Sequence, residues 1–304
     1  LEQHMSDVGV VEVLCGAIGI LGANDDNQVR FGDTDGCELL VRVLRQHMSE
    51  AAVVVQVCGA IRSLSVNNNS NQARLSDAGA CETVIEALKK HSSVVNVVEV
   101  VCAIIQNLSS IDTNNARLGG TGECVLLVDV LDQHITVLGV AMHACGAIRN
   151  LSVDHDNQTT LGKAGACEML VRVLKQHMSV VTVVEQVCAA IGQFGLQDAN
   201  RARLVEAGGC EVIIQALRRH ILVIGVTELA CAAIWSFSLN NNNITRLIEA
   251  GISDVLVQML EQHMHVVSMV ESACTVMCNL TTNVDHVKRL GDAGACEVMV
   301  HVLE

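Results

Sequence analysis

Ala144-Cys145-Gly146-Ala147-Ile148-Arg149-Asn150-Leu151-Ser152, followed after a loop by Ala164-Gly165-Ala166-Cys167-Glu168-Met169-Leu170-Val171, is the stretch that decides the architecture. Both halves recur along the chain. One cysteine series runs Cys15, Cys58, Cys102, Cys145, Cys188, Cys231 and Cys274. A second runs Cys37, Cys81, Cys124, Cys167, Cys210 and Cys296, with Ser253 in the gap. A histidine series, His4, His47, His91, His134, His177, His220 and His263, repeats in steps of 43 or 44 residues. Three independent markers therefore share one period, and seven periods of 43 account for all but three of the 304 residues. Self-similarity at this period is the mark of a repeat architecture.

Each unit contains three helical segments. In the fifth, Val184, Val187, Cys188, Ile191 and Phe194 fall on one face of a helix over 183–194. Asp198 offers an N-cap for a short helix through Ala207. Gly208 follows, where a left-handed residue would end that helix and turn the chain. A third helix over 210–220 buries Cys210, Ile213, Ile214 and Leu217. Gly79, Gly122, Gly165, Gly251 and Gly294 are the equivalent turn residues. In the first unit Asp35 stands there, and Asp enters the left-handed region more readily than most residues.

Composition narrows the function classes. Half the residues are hydrophobic, 1% are aromatic and proline is absent, which is too apolar for disorder. Lys+Arg number 19 against 33 Asp+Glu, a net charge of −14, which argues against nucleic acid as a partner. The longest apolar runs are too short for a membrane span, and the first residues do not have the pattern of a signal peptide.

The cysteines read as small core hydrophobes, all on apolar faces except Cys278 at a groove edge, and not as metal ligands. Retained free thiols point to a reducing compartment such as the cytoplasm, with the nucleus left open. The histidine series sits at the ends of third helices and reads as a structural cap favoured by the helix dipole. Arg74/Asp77, Arg203/Glu206, Arg246/Glu249 and Arg289/Asp292 read as i,i+3 pairs on the short helix. The sequons at Asn107, Asn150 and Asn279 lie inside predicted helices. Asn67–Asn69 and Asn240–Asn243 read as loops that cap the next helix.

The helix–Gly–helix grammar of the two stretches quoted above resembles the armadillo repeat, over the whole chain. The resemblance implies an all-α, right-handed superhelical solenoid of about seven three-helix repeats, forming one domain over 1–304. HEAT repeats are the runner-up at fold level. It also implies a peptide-binding groove on the face of the long helix that points away from the core.

With Asn150 as reference, the helical wheel puts Cys145 and Ile148 on the buried side and offsets −11, −8, −7, −4 and 0 opposite. The reference column holds Ile20, Ser63, Asn107, Asn150, Gln193, Ser236 and Asn279. The −8 column holds Glu12, Val55, Glu99, Met142, Glu185, Glu228 and Glu271. The −4 column is small: Gly16, Gly59, Ala103, Gly146, Ala189, Ala232 and Thr275. At the groove edge, −1, stand Gly19, Arg62, Gln106, Arg149, Gly192, Trp235 and Cys278. A spaced Asn amide suits the main chain of an extended peptide, and the armadillo family uses its groove Asn that way. The importin-alpha branch adds Trp at −4, a column filled here by Gly, Ala or Thr. Glu99, Glu185, Glu228 and Glu271 form either an acidic stripe for a basic ligand or a set of charges favoured by their own helix dipole. Trp235 is either an apolar anchor or an edge residue packing near Phe237. His143 is the one histidine expected to face the groove. The sequence carries no phosphate loop of the G-x-x-x-x-G-K-[ST] kind and no H-E-x-x-H.

Leu1-Glu2-Gln3-His4-Met5 matches the third-helix end Leu260-Glu261-Gln262-His263-Met264, and the chain stops near the same phase of the repeat. The reading at this stage is a non-enzymatic scaffold, without cofactor, that binds an extended basic peptide through Asn107, Asn150, Gln193, Asn279, Glu99, Glu185, Glu228, Glu271, Arg149 and Trp235. The rival is a head-to-tail self-associating array, or a natural or designed consensus-like fragment of a longer armadillo chain.

Overall fold

The computed structural model describes residues 4–119 and 122–304; residues 1–3, where the sequence predicts the end of a third helix, lie outside them. Among the described residues every regular element is a helix, and the helices come in triplets. The long helices are α1 (Val8–Leu21), α4 (Ala51–Ser65), α7 (Val95–Leu108), α10 (Leu138–Leu151), α13 (Val181–Phe194), α16 (Ile224–Ser238) and α19 (Val267–Leu280). The short helices are α2 (Asp25–Asp33), α5 (Asn69–Asp77), α8 (Asp112–Gly119), α11 (His155–Lys163), α14 (Asp198–Glu206), α17 (Asn241–Glu249) and α20 (Val284–Asp292). The third helices are α3 (Gly36–Gln46), α6 (Ala80–Lys90), α9 (Glu123–Gln133), α12 (Ala166–Gln176), α15 (Gly209–Arg219), α18 (Ile252–His263) and α21 (Ala295–Leu303).

The turn into each third helix has the predicted backbone. Gly79, Gly122, Gly165, Gly208, Gly251 and Gly294 all have φ between 85° and 96°, and Asp35 has φ 54°. Asp7, Asn24, Asn68, Asp154, Asn240 and Asn283 cap helices through their side chains. Asp198 does not: it is the first residue of α14, and Gln197 occupies the cap position. Asn69 and Asn241–Asn243 likewise already belong to helices.

The chain forms two compact units, Leu1–Ala164 and Gly165–Glu304. In the first, α1, α4, α7 and α10 stack side by side, and α3, α6 and α9 each pack on the long helix that follows. In the second, α13, α16 and α19 stack in the same way, with α12, α15 and α18 behind them. A unit of this kind buries its apolar faces only against its neighbours. The filling is Val, Leu, Ile and Cys, with Phe194 and Phe237 the largest fully buried side chains.

Polar ladders tie repeat to repeat at fixed positions. His47, His91, His134, His220 and His263 are buried. Their ring Nε2–H groups donate to the carbonyls of Met5, Met48, Ser92, Met178 and Ile221 at 2.5–2.8 Å. His47, His91, His134 and His220 thus stand at the C-caps of their own helices while their rings bond across repeats. Asn71 Nδ2 donates to the carbonyls of Gln28 and Leu64, each at 2.9 Å, and Asn157 Nδ2 to that of Asn115 at 2.9 Å.

The ion pairs also differ from the sequence reading. Arg74 pairs with Asp33 at 3.5 Å and Arg246 with Glu211 at 2.7 Å, while Asp77 lies 3.9 Å from Arg117. The charges bridge successive repeats, because the short helices lie side by side and an arginine reaches its neighbour's carboxylate. Cys296 is exposed as well as Cys278, since α21 has one face uncovered in this structure, and Cys274 is half-buried. The other eleven thiols are buried.

Candidate functional site

The long helices place the reference, −1, −4 and −8 columns together on the side away from the third helices. In the first unit each groove Asn is held by the preceding repeat. Asn107 Nδ2 donates to Ser65 Oγ at 3.0 Å and to the Arg62 carbonyl at 3.3 Å. Asn150 Nδ2 donates to the Gln106 carbonyl at 2.9 Å, and its Oδ1 accepts from Arg149 Nε and Nη2 at 3.3 and 3.2 Å. In the second unit Asn279 Nδ2 donates to Ser238 Oγ at 2.9 Å. These amides sit half-buried at the groove floor with fixed orientation. Gln193 is at the equivalent place on α13, also half-buried.

His143 is not presented to the groove. It is 8% exposed, and its Nδ1–H donates to Gln106 Oε1 at 2.9 Å. Burial, with a further push from the Arg62 guanidinium, brings its pKa down to about 4, so the ring is neutral near pH 7. The reason is the small −4 column: Gly146 leaves room for the Gln106 side chain, which lies where a Cβ on Gly146 would be and covers His143.

The glutamate column has a role that neither sequence reading contained. Glu99 lies where a Cβ on Gly139 would project, in the first turn of α10. Glu185 Oε1 would be 2.7 Å from a Cβ on Gly225, in the first turn of α16. Glu228 Oε1 accepts from Ser268 Oγ at 2.8 Å, in the first turn of α19. Those first turns contain no acidic residue of their own and their N-caps make no side-chain bond. Each glutamate thus brings negative charge to the positive end of the following helix, where it is favoured. Gly139→Thr is expected to cost about 1–2 kcal/mol by overpacking against Glu99. Glu99→Met should recover most of that loss, so a urea double-mutant cycle should report coupling of about 1 kcal/mol. Additive effects would show that the two side chains do not compete for one space.

In the second unit a pocket of about 360 Å³ opens between α16 and α19, lined by Glu228, Cys231, Ala232, Trp235, Glu271, Ser272, Thr275 and Val276. Trp235 lines this pocket and is 37% exposed. Glu228 and Glu271 are exposed on the same wall. A π face beside two carboxylates is chemically suited to a cationic group. Among the described residues no cluster of three or more His, Cys, Asp or Glu side chains could hold a metal ion, and no helix is long and apolar enough to cross a membrane.

No protein-family model matches the sequence, and no curated protein is similar to it by sequence. Solved structures are similar in fold. An engineered protein superposes with TM-score 0.81 at 21% identity, covering 94% of this chain and 68% of the other. A chain from work on a phosphorylation switch in the interaction between cadherin and beta-catenin gives TM-score 0.81 at 18% identity, over 93% of this chain and 57% of that one. A designed armadillo repeat protein in complex with the peptide (KR)4 gives TM-score 0.67 at 21% identity, over 80% of this chain and 99% of the other. The fold is that of the armadillo repeat. Within this armadillo solenoid the −1 column varies in chemistry from repeat to repeat: Gly19, Arg62, Gln106 and Arg149 in the first unit, Gly192, Trp235 and Cys278 in the second. The sequence reading placed these residues at the groove edge. It did not foresee that the glutamates of the −8 column reach across to the next long helix.

Proposed function

We propose that the chain is a non-enzymatic scaffold that binds an extended, basic peptide segment along its groove face. The observation that carries this reading is the pocket between α16 and α19, where the half-exposed Trp235 adjoins Glu228 and Glu271. A Lys or Arg side chain entering it would stack on the indole and meet both carboxylates. Asn279, whose Oδ1 is left to accept, supplies a polar group to the peptide main chain beside such side chains. The (KR)4 complex of the designed armadillo repeat protein supports the choice of a basic probe.

The test is fluorescence anisotropy with labelled (Lys-Arg)4 in 0.15 M NaCl. Trp235→Ala is expected to weaken binding about two- to fivefold and Glu271→Lys at least about tenfold, since an exposed cation–π contact is worth about 0.5–1 kcal/mol and a charge-assisted hydrogen bond about 1.5–3 kcal/mol. A dissociation constant unchanged in both variants, or no binding by the wild type, would sink the reading.

A further inference from the structure

The groove edge of the first unit has chemistry opposite to that of the Trp235 pocket. The −1 positions of three successive long helices are Arg62 on α4, Gln106 on α7 and Arg149 on α10. Their acceptor atoms are already taken: Gln106 Oε1 by His143 Nδ1, and Asn150 Oδ1, beside Arg149, by the Arg149 guanidinium. Of their donors, Arg149 Nε and Nη2 are spent on Asn150, and the others are not. The exposed Arg62 guanidinium and Gln106 Nε2 have no hydrogen-bond or ion-pair partner among the described residues, and Arg149 makes no ion pair. Four other arginines of this acidic chain are matched to carboxylates, in Arg74–Asp33, Arg117–Glu82, Arg201–Asp198 and Arg246–Glu211. The nearest groove carboxylate on α7, Glu99, is directed to the first turn of α10, and the other two −8 positions on these helices are Val55 and Met142.

We infer that the groove edge of the first unit binds carboxylate side chains of an extended peptide, held by Arg62 and Arg149 with the Gln106 amide between them. A row of N–H donors with its own oxygens already bonded is complementary to an acceptor-only group, and an ionised carboxylate is one. Adjacent helices lie roughly 8–10 Å apart, so Arg62 and Arg149 are roughly 16–20 Å apart. An extended chain covers that span in about five or six residues at roughly 3.3 Å each. A ligand with acidic side chains at that separation would reach both guanidinium groups. Because the whole chain carries −14, long-range electrostatics oppose an acidic ligand, and binding would have to come from these local donors.

The probe is fluorescein-labelled (Glu-Ser)5, with uncharged (Gln-Ser)5 as reference, titrated by anisotropy in 0.15 M NaCl. The full chain is expected to prefer (Glu-Ser)5, and Arg62→Glu/Arg149→Glu to weaken it at least tenfold with far-UV circular dichroism unchanged. Arg62→Gln, at an exposed position, should fold normally and cost about threefold. Trp235→Ala should leave (Glu-Ser)5 binding unchanged while it weakens (Lys-Arg)4, so failure of this inference and failure of the basic-peptide reading are separable. Equal affinity for (Glu-Ser)5 and (Gln-Ser)5, or a double variant that binds (Glu-Ser)5 like the wild type, overturns the inference.

Discussion

Phe194→Ala is expected to destabilise its part of the solenoid by about 3–5 kcal/mol, the cost of removing a large ring from a packed core that collapses only partly around the cavity. Phe194 ends α13 with no exposed surface, among side chains that are otherwise Val, Leu, Ile and Cys. Because repeats are held by their neighbours, the loss should be local. Amide hydrogen exchange should show reduced protection in α13 and in α14–α16, by about two to three orders of magnitude. Amides of α4 and α7 should keep theirs. Equal loss of protection throughout the chain would show instead that the solenoid opens as one cooperative body.

The fold was legible because three markers repeat in phase, and each marks a different physical constraint. The turn glycines mark left-handed backbone, the two cysteine series mark buried positions on different helices, and the histidines mark the ends of third helices. Seven copies average out the local ambiguity that makes any single apolar run hard to assign. What escaped was the direction of side chains between repeats. The His91 ring and the Asn71 amide each bond to a residue 43 positions earlier. A period specifies which residues are equivalent, but not which member of the next layer each one touches.

The glutamate column shows what a fuller reading of the same residues would have found. Where −8 is Glu99, Glu185 or Glu228, the first-turn position of the next long helix is Gly139, Gly225 or Ser268, small enough to admit a carboxylate. Where −8 is Val55 or Met142, that position is Asn96 or Thr182. This pairing between columns one repeat apart was present in the sequence, and it distinguishes an inter-repeat contact from a ligand stripe. Trp235 was identifiable as a departure from its column, but the pocket it lines depends on Thr275 and Glu271 of the adjacent helix, and only packing shows that.

Alkaline unfolding should be the largest effect of all. Nine buried thiols, Cys15, Cys37, Cys58, Cys102, Cys145, Cys167, Cys188, Cys210 and Cys231, are raised from the ordinary value of 9.0, chiefly by burial. Cys15 is pushed up to about 11, and Cys58 and Cys102 to about 12. A group whose folded pKa lies above its unfolded one favours the folded state below the unfolded value and loses that contribution as pH rises toward the folded value. The thiols are therefore neutral and harmless below about pH 8, and stability falls between about pH 9 and 12, as unfolded chains lose protons that folded ones keep. One pH unit above the unfolded value each thiol contributes about 1.4 kcal/mol of destabilisation. Several together reach the whole stability of an ordinary domain, about 5–15 kcal/mol. Helical circular dichroism at 222 nm, followed under reducing conditions, should collapse near pH 10 together with a rise in thiolate absorbance at 240 nm. Replacing Cys58, Cys102 and Cys145 by Ala should move the midpoint upward relative to the loss of stability measured at pH 7, because the core then holds fewer groups that must ionise. Helicity that persists to pH 11.5 in the wild type would mean that the buried thiols ionise without opening the repeats.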